Sequence, residues 1–232
     1  MLKLSPLPLL AFAASAALVA AATLSVSAET AVNVPAPKVA APETSATSET
    51  IVLAGGCFWG VQGVFQHVDG VQRAISGYAG GTTKNPTYPV VSTGTTGHAE
   101  SVEVTFDPHK VSLGQILQIY FSVAHDPTEV NRQGPDEGTQ YRSEIFATSP
   151  AEAKFAKDYI AELNADKVFP RALATKVEPL AAFYPAEGYH QNYLTLHPSE
   201  PYIAYNDIPK VENLKRLFPA LYSDKPVLVA MQ

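Results

Sequence analysis

Apolar positions recur along this chain with two different periods. Between residues 101 and 106 the period is two: Val102, Val104 and Phe106 face one way, Ser101, Glu103 and Thr105 the other. That is the pattern of a strand with one buried face, and Asp107-Pro108 ends it. From Phe58 the period lengthens. Phe58, Val61, Val64, Phe65 and Val68 return at intervals of three and four, which predicts an amphipathic helix. The β-branched run 51–53, bounded by Gly55-Gly56, reads as a short buried strand. Cys57 therefore stands on a strand-to-helix turn.

The rest of the chain follows the same signals. Residues 70–81 read as a strand running into a glycine-rich loop, and 84–100 as a loop. Ser112 and Gln115 form a capping box with Val111 and Ile116 as its hydrophobic staple, and the apolar face continues through Ile119, Tyr120 and Val123. Ser149 and Glu152 form a second box, with Pro150 at the favoured first position of a helix reaching about Leu163. A long polar loop ends in a strand at 142–147; another strand is expected at 175–180 and a helix at 207–218. The order β-α-β-β-α-β-α-β predicts an α+β fold, a two-layer sandwich of a mixed β-sheet with helices on one face around a ferredoxin-like core.

Composition narrows the setting. Of 232 residues 46% are hydrophobic, enough for a core without disulfides or metal, and the net charge of −6 with scattered basic residues argues against nucleic acid. With one cysteine and six histidines in no zinc-like spacing, no metal site is expected. Lys3, the Ala-rich apolar run from Leu7 to Ala22 and the small residues around Ala28 read as a signal peptide over 1–28. Export to the periplasm is expected, with no membrane attachment after cleavage. Residues 29–48 are rich in Ala, Pro, Ser and Thr and are read as a tether outside the core. The folded domain is expected over 49–224, with a tail at 225–232.

Candidate chemistry centres on Cys57. A lone cysteine is commonly a small buried hydrophobe. Two preceding glycines, a helix start that favours a thiolate, and an unpaired thiol in an exported chain support a reactive group instead. Glu100 shares the parity of Val102 and Val104; its carboxyl lies against the apolar face if the strand begins there, and in solvent if the strand begins at Ser101. Tyr88, Tyr141 and Tyr202 sit in polar loops, either as hydrogen-bond donors to a site or as edges of the core.

The segments GCFWG (56–60), GHAE (97–100), GTQYRS (138–143) and YHQNYL (189–194) stand in an order that resembles the peptide-methionine (S)-S-oxide reductases, the A-type methionine sulfoxide reductases, over about residues 50–219. The resemblance implies that Cys57 is the nucleophile, that Phe58 and Trp59 wall a pocket for the substrate methyl group, and that Glu100 donates a proton to the sulfoxide oxygen. It implies that Tyr88 and Tyr141 hydrogen-bond that oxygen, and that Asp136 and Tyr202 bind the substrate. His190 matches a position near the site without assigned chemistry. Where many members carry a recycling cysteine, this chain has HPSEPYIAYND (197–207). The likeness is to the single-cysteine subgroup. It implies an enzyme without bound cofactor, whose Cys57 sulfenic acid is reduced by an external thiol, a small one or a thioredoxin-like protein; a monomer is expected. A thiol peroxidase, a cysteine hydrolase and a non-catalytic binding module are the competing readings.

Overall fold

The computed structural model describes residues 30–230. The expected signal peptide, 1–28, lies outside the described residues. The elements in chain order are β1 (Glu49–Gly55), α1 (Phe58–Gln66), β2 (Val71–Ala79), α2 (Tyr88–Val91), β3 (Ala99–Phe106), α3 (Leu113–Ile119), β4 (Arg132–Gln133), β5 (Asp136–Glu137), β6 (Ser143–Ala147), α4 (Pro150–Ala165), β7 (Lys176–Pro179), β8 (Phe183–Pro185), α5 (Tyr193–Leu196) and α6 (Ile208–Leu217).

Six strands form one sheet in the order β7-β6-β1-β3-β2-β8. Its middle four, β6-β1-β3-β2, pair antiparallel throughout, the strand order of a ferredoxin-like core. β7 adds parallel to β6 and β8 antiparallel to β2, so the sheet is mixed, as expected. The α+β class follows from the alternation. Ile51, Leu53, Val102 and Val104 turn one face into a cluster shared with Val61 and Phe65 of α1, Ile116 of α3, Phe155 and Tyr159 of α4 and Val211 of α6. Val52, Ala54, Ala79, Ala99 and Phe146 occupy the other face, where Leu180 and Phe183 cover them in place of a helix.

Local signals fared unevenly. Ser112 and Gln115 make the reciprocal capping box. At α4 the Ser149 hydroxyl accepts the Glu152 N–H, but the Glu152 carboxylate reaches past the cap to the Thr148 N–H and hydroxyl, so that box is only half formed. α3 gives way after Ile119 to a π turn, Tyr120–Ala124. Strand β8 was not anticipated: three residues with little alternation become a strand because the edge of β2 offers them hydrogen bonds.

The two flanking segments overturn their expectation. Residues 30–41 are not a tether outside the core: Val34 is 1% exposed, its N–H donates to Ser122 Oγ and its carbonyl accepts from Gln118 Nε2. Tyr159 Oη donates to the Pro35 carbonyl, and the Glu162 carboxylate accepts the Lys38 and Val39 N–H groups. The prolines keep this stretch extended, which leaves its N–H and C=O groups open to side chains of α3 and α4. Likewise the expected tail is pinned. The Val227 N–H donates to the Gln66 carbonyl, and Asn192 pairs with the backbone of Val229 through both side-chain atoms.

Candidate active site

β1 delivers the chain to the site and Gly56 turns it. Gly56 has φ +87°, and a Cβ there would lie 2.6 Å from Gln133 Cβ, so only glycine fits both the conformation and the contact. Cys57 follows at the N-cap of α1, 8% exposed. Its thiol is pushed well above the usual range by burial first, then by the Glu100 and Asp207 carboxyls, against a hydrogen bond from the Trp59 N–H. The expected helix-start thiolate is therefore corrected. Desolvation outweighs the helix terminus, and the first free N–H of α1, that of Phe58, is already given to Glu100 Oε2 at 3.1 Å. Cys57 rests as a thiol.

Glu100 resolves the two readings of its parity. β3 begins at Ala99, so the Glu100 side chain faces the helices and is 2% exposed. Burial raises its carboxyl to about 8, with the Phe58 N–H opposing and Asp136 and Asp207 adding. A neutral acid thus holds the N–H of the residue that follows the cysteine at neutral pH.

The tyrosines and Asp136 converge on this pair. Tyr88 opens α2, and burial, then Glu100 and Cys57, push its phenol up to about 12. Tyr141 ends a 3₁₀ turn, Thr139–Tyr141, and is raised by burial, then by Glu100, Asp136, Tyr88 and Cys57. These mutual effects place the four groups and Cys57 within electrostatic reach of one another. Asp136 sits on the two-strand ladder β4–β5, opposite Gln133, the residue packed on Gly56. Its Oδ2 accepts from Tyr202 Oη. Burial holds the Asp136 carboxyl above its ordinary value, while the Tyr202 hydroxyl and Lys210 pull it down.

Aromatic rings form the remaining side. Trp59 stacks on Tyr193 with ring centroids 3.9 Å apart, meets the edge of Tyr202 at 6.0 Å, and donates Nε1–H to His190 Nδ1 at 3.1 Å. Phe58 is 1% exposed and packs on His190 and Tyr78, beneath the surface that Trp59 shares. Every residue expected at the site is thus gathered around the turn between β1 and α1.

Three supporting groups escaped the sequence reading. Arg142 binds the buried Glu144 through Nε at 2.5 Å, the Thr139 carbonyl through Nη1 and the Gly97 carbonyl through Nη2, tying the turn that ends at Tyr141 to the residues that lead into β3 and Glu100. Asp207, fully buried, lies 3.6 Å from Lys210 Nζ and rests against Gly60, where a Cβ would lie 2.2 Å from Oδ1. Their i, i+3 spacing at the start of α6 was the available signal. Glu187, just before YHQNYL, accepts the Tyr88 N–H. Among the described residues no group of three or more His, Cys, Asp or Glu side chains could hold a metal ion.

The family profile described as peptide methionine sulfoxide reductase matches residues 49–220. Peptide methionine sulfoxide reductase MsrA 2 of Mesorhizobium japonicum is 62% identical over 182 residues, 78% of this chain and 93% of the relative. The protein of that name from Synechocystis is 49% identical over 78% of this chain and 83% of the relative. Among solved structures, reduced Mxr1 of Saccharomyces cerevisiae is similar with a TM-score of 0.61 and 34% identity, covering 68% of this chain and 91% of that one. Methionine sulfoxide reductase A of Corynebacterium diphtheriae gives 0.58 and 38%, covering 66% and 77%.

Proposed function

For a chain that belongs to the A-type peptide methionine sulfoxide reductases, we propose that catalysis proceeds by attack of Cys57 on the sulfoxide sulfur of the S epimer. The observation that carries this reading is the pairing of Cys57 with a carboxyl, Glu100, held protonated up to about pH 8 and fixed by the Phe58 N–H.

Sulfoxide sulfur becomes electrophilic when its oxygen is protonated or strongly hydrogen-bonded. Glu100 supplies the proton, and Tyr88 and Tyr141 supply donors to the oxygen as charge develops there. Trp59, backed by Phe58 and flanked by Tyr193 and Tyr202, holds the methyl group, while Asp136 and Tyr202 take the substrate's polar side. Methyl and oxygen held on opposite sides select one epimer. The balance is methionine sulfoxide plus Cys57–SH giving methionine plus Cys57–SOH. The substrate sulfur gains two electrons, and the Cys57 sulfur loses two.

With Cys57 the single cysteine of the chain, the return step is intermolecular. One external thiol condenses with the sulfenic acid, releasing water and forming a mixed disulfide. A second thiol, or the resolving thiol of a thioredoxin-like protein, frees Cys57 and leaves as disulfide. The leader-like residues 1–28 support export, cleavage after Ala28 and repair of oxidised proteins in the periplasm; N-terminal sequencing of the exported protein checks the cleavage.

The test is one turnover without reductant. Intact mass should gain one oxygen on Cys57, one equivalent of methionine should appear, and Cys57→Ser should form none. Methionine formed by the Ser variant at a substantial rate would sink the nucleophile. Turnover of hydrogen peroxide in preference to the sulfoxide would favour a peroxidase.

A further inference from the structure

Glu187 stands outside the constellation just described, yet it touches both of its sides. One carboxylate oxygen, Oε1, accepts the Tyr88 N–H at 2.8 Å. That N–H opens α2 and has no partner within the helix, so Glu187 supplies the missing acceptor. The other oxygen, Oε2, accepts Tyr78 Oη at 2.9 Å and lies 4.0 Å from His190 Nε2. Tyr78 is fully buried on β2, and β8 pairs beside it, Tyr78 opposite Tyr184, so the sheet itself delivers Glu187 to this place.

His190 carries the connection onward. Its ring is 2% exposed and packs against Phe58, Trp59, Tyr88 and Tyr189. An indole nitrogen can only donate, so His190 Nδ1, which receives Trp59 Nε1–H at 3.1 Å, carries no proton. In the neutral ring the proton then sits on Nε2. Nε2 is buried without a hydrogen-bond partner among the described residues, and the negative Glu187 carboxylate on that side favours the tautomer. Burial lowers the His190 pKa, which keeps the ring neutral.

We propose that Glu187 is a positioning residue that couples the two halves of the pocket, fixing Tyr88 on the oxygen side directly and Trp59 on the methyl side through His190. The kinetic part rests on the activity proposed above; the structural part does not.

Trp59 is the single tryptophan of the chain, so its indole N–H signal in a ¹⁵N-labelled sample is unambiguous. In the substrate-free full-length protein, Glu187→Ala and the isosteric Glu187→Gln should both shift that signal and speed its hydrogen exchange. With N-acetyl-methionine S-sulfoxide and dithiothreitol, kcat/KM should fall on the order of tenfold or more in the Ala variant, with KM raised and kcat lowered together, and less in the Gln variant, which keeps an acceptor for Tyr88. Tyr78→Phe, which removes a Glu187 contact without touching Tyr88 or His190, should change neither readout by more than about twofold. An unmoved indole signal in the Gln variant, with kcat/KM within about twofold of wild type, would overturn the proposal. Should the Ala variant fail to fold, the Gln variant decides alone. If the wild type does not reduce the sulfoxide, the activity reading falls, and the indole signal still judges the coupling.

Discussion

Glu100 shows how one side chain can carry opposite demands. A carboxyl buried among apolar residues is destabilised when charged, and here that penalty holds it neutral to about pH 8. If it is the acid, activity should hold below that pH and fall above it. Glu100→Gln should slow reduction by roughly 10²- to 10⁴-fold and remove the alkaline limb, as a pH–rate profile would show. The same shift has a stability consequence with a definite sign. The folded state keeps a proton that the unfolded state releases near the ordinary carboxyl value of about 4. The contribution is complete below that value and is lost as pH rises through about 8. Thermal melts from acid to mildly alkaline pH should therefore show wild type losing stability relative to Glu100→Gln. Cys57 illustrates the converse. Its place at a helix start was legible, but its thiol character depends on desolvation and on Glu100 and Asp207, which no local pattern reports.

Among the elements, the turn joining β1 to α1 matters most. Gly56→Ala would put a side chain at φ +87° and drive it into Gln133, the neighbour of Asp136 across the β4–β5 ladder. A loss of about 2 kcal/mol or more is expected, with activity falling further than stability. Urea unfolding and steady-state rates on the same preparation separate the two. Ser112→Ala is the control. Its cap on α3 contributes about 1 kcal/mol, and α3 lends no side chain to the site, so melting should shift while the rate stays unchanged. Elements with strong periodicity, α1 and β3, could be read directly. β8 and the ladder of β4 and β5 could not, because two or three residues become strand only when a neighbouring edge is present.

For the whole molecule, the surprise is how firmly the ends are held. Val34 fills the core, and the backbone beyond it is bonded to α4. Val34→Ala should cost about 2 kcal/mol. A chain beginning at Glu49 should lose more, since it forfeits the burial of Val34 and the bonds to Ser122, Gln118, Tyr159 and Glu162. The exposed Lys38–Asp166 bridge adds little to either figure. The proposed cleavage after Ala28 would spare this segment. Denaturant midpoints of the two variants check the claim.

The sequence by itself determined the α+β class, the helix after Cys57, the parity of β3 and the set of residues that the family likeness names. Each depends on neighbours a few positions apart or on a distinctive order of short segments. Tertiary structure decided what those residues are in chemical terms. It buried Glu100 and so kept its proton, it left Cys57 a thiol, and it drew residues 30–41 into the core. It also brought Glu187 between Tyr88 and His190, residues 99 and 3 positions away. Protonation state and side-chain support are set by what packs around a group from distant parts of the chain, and desolvation has no signature in local spacing.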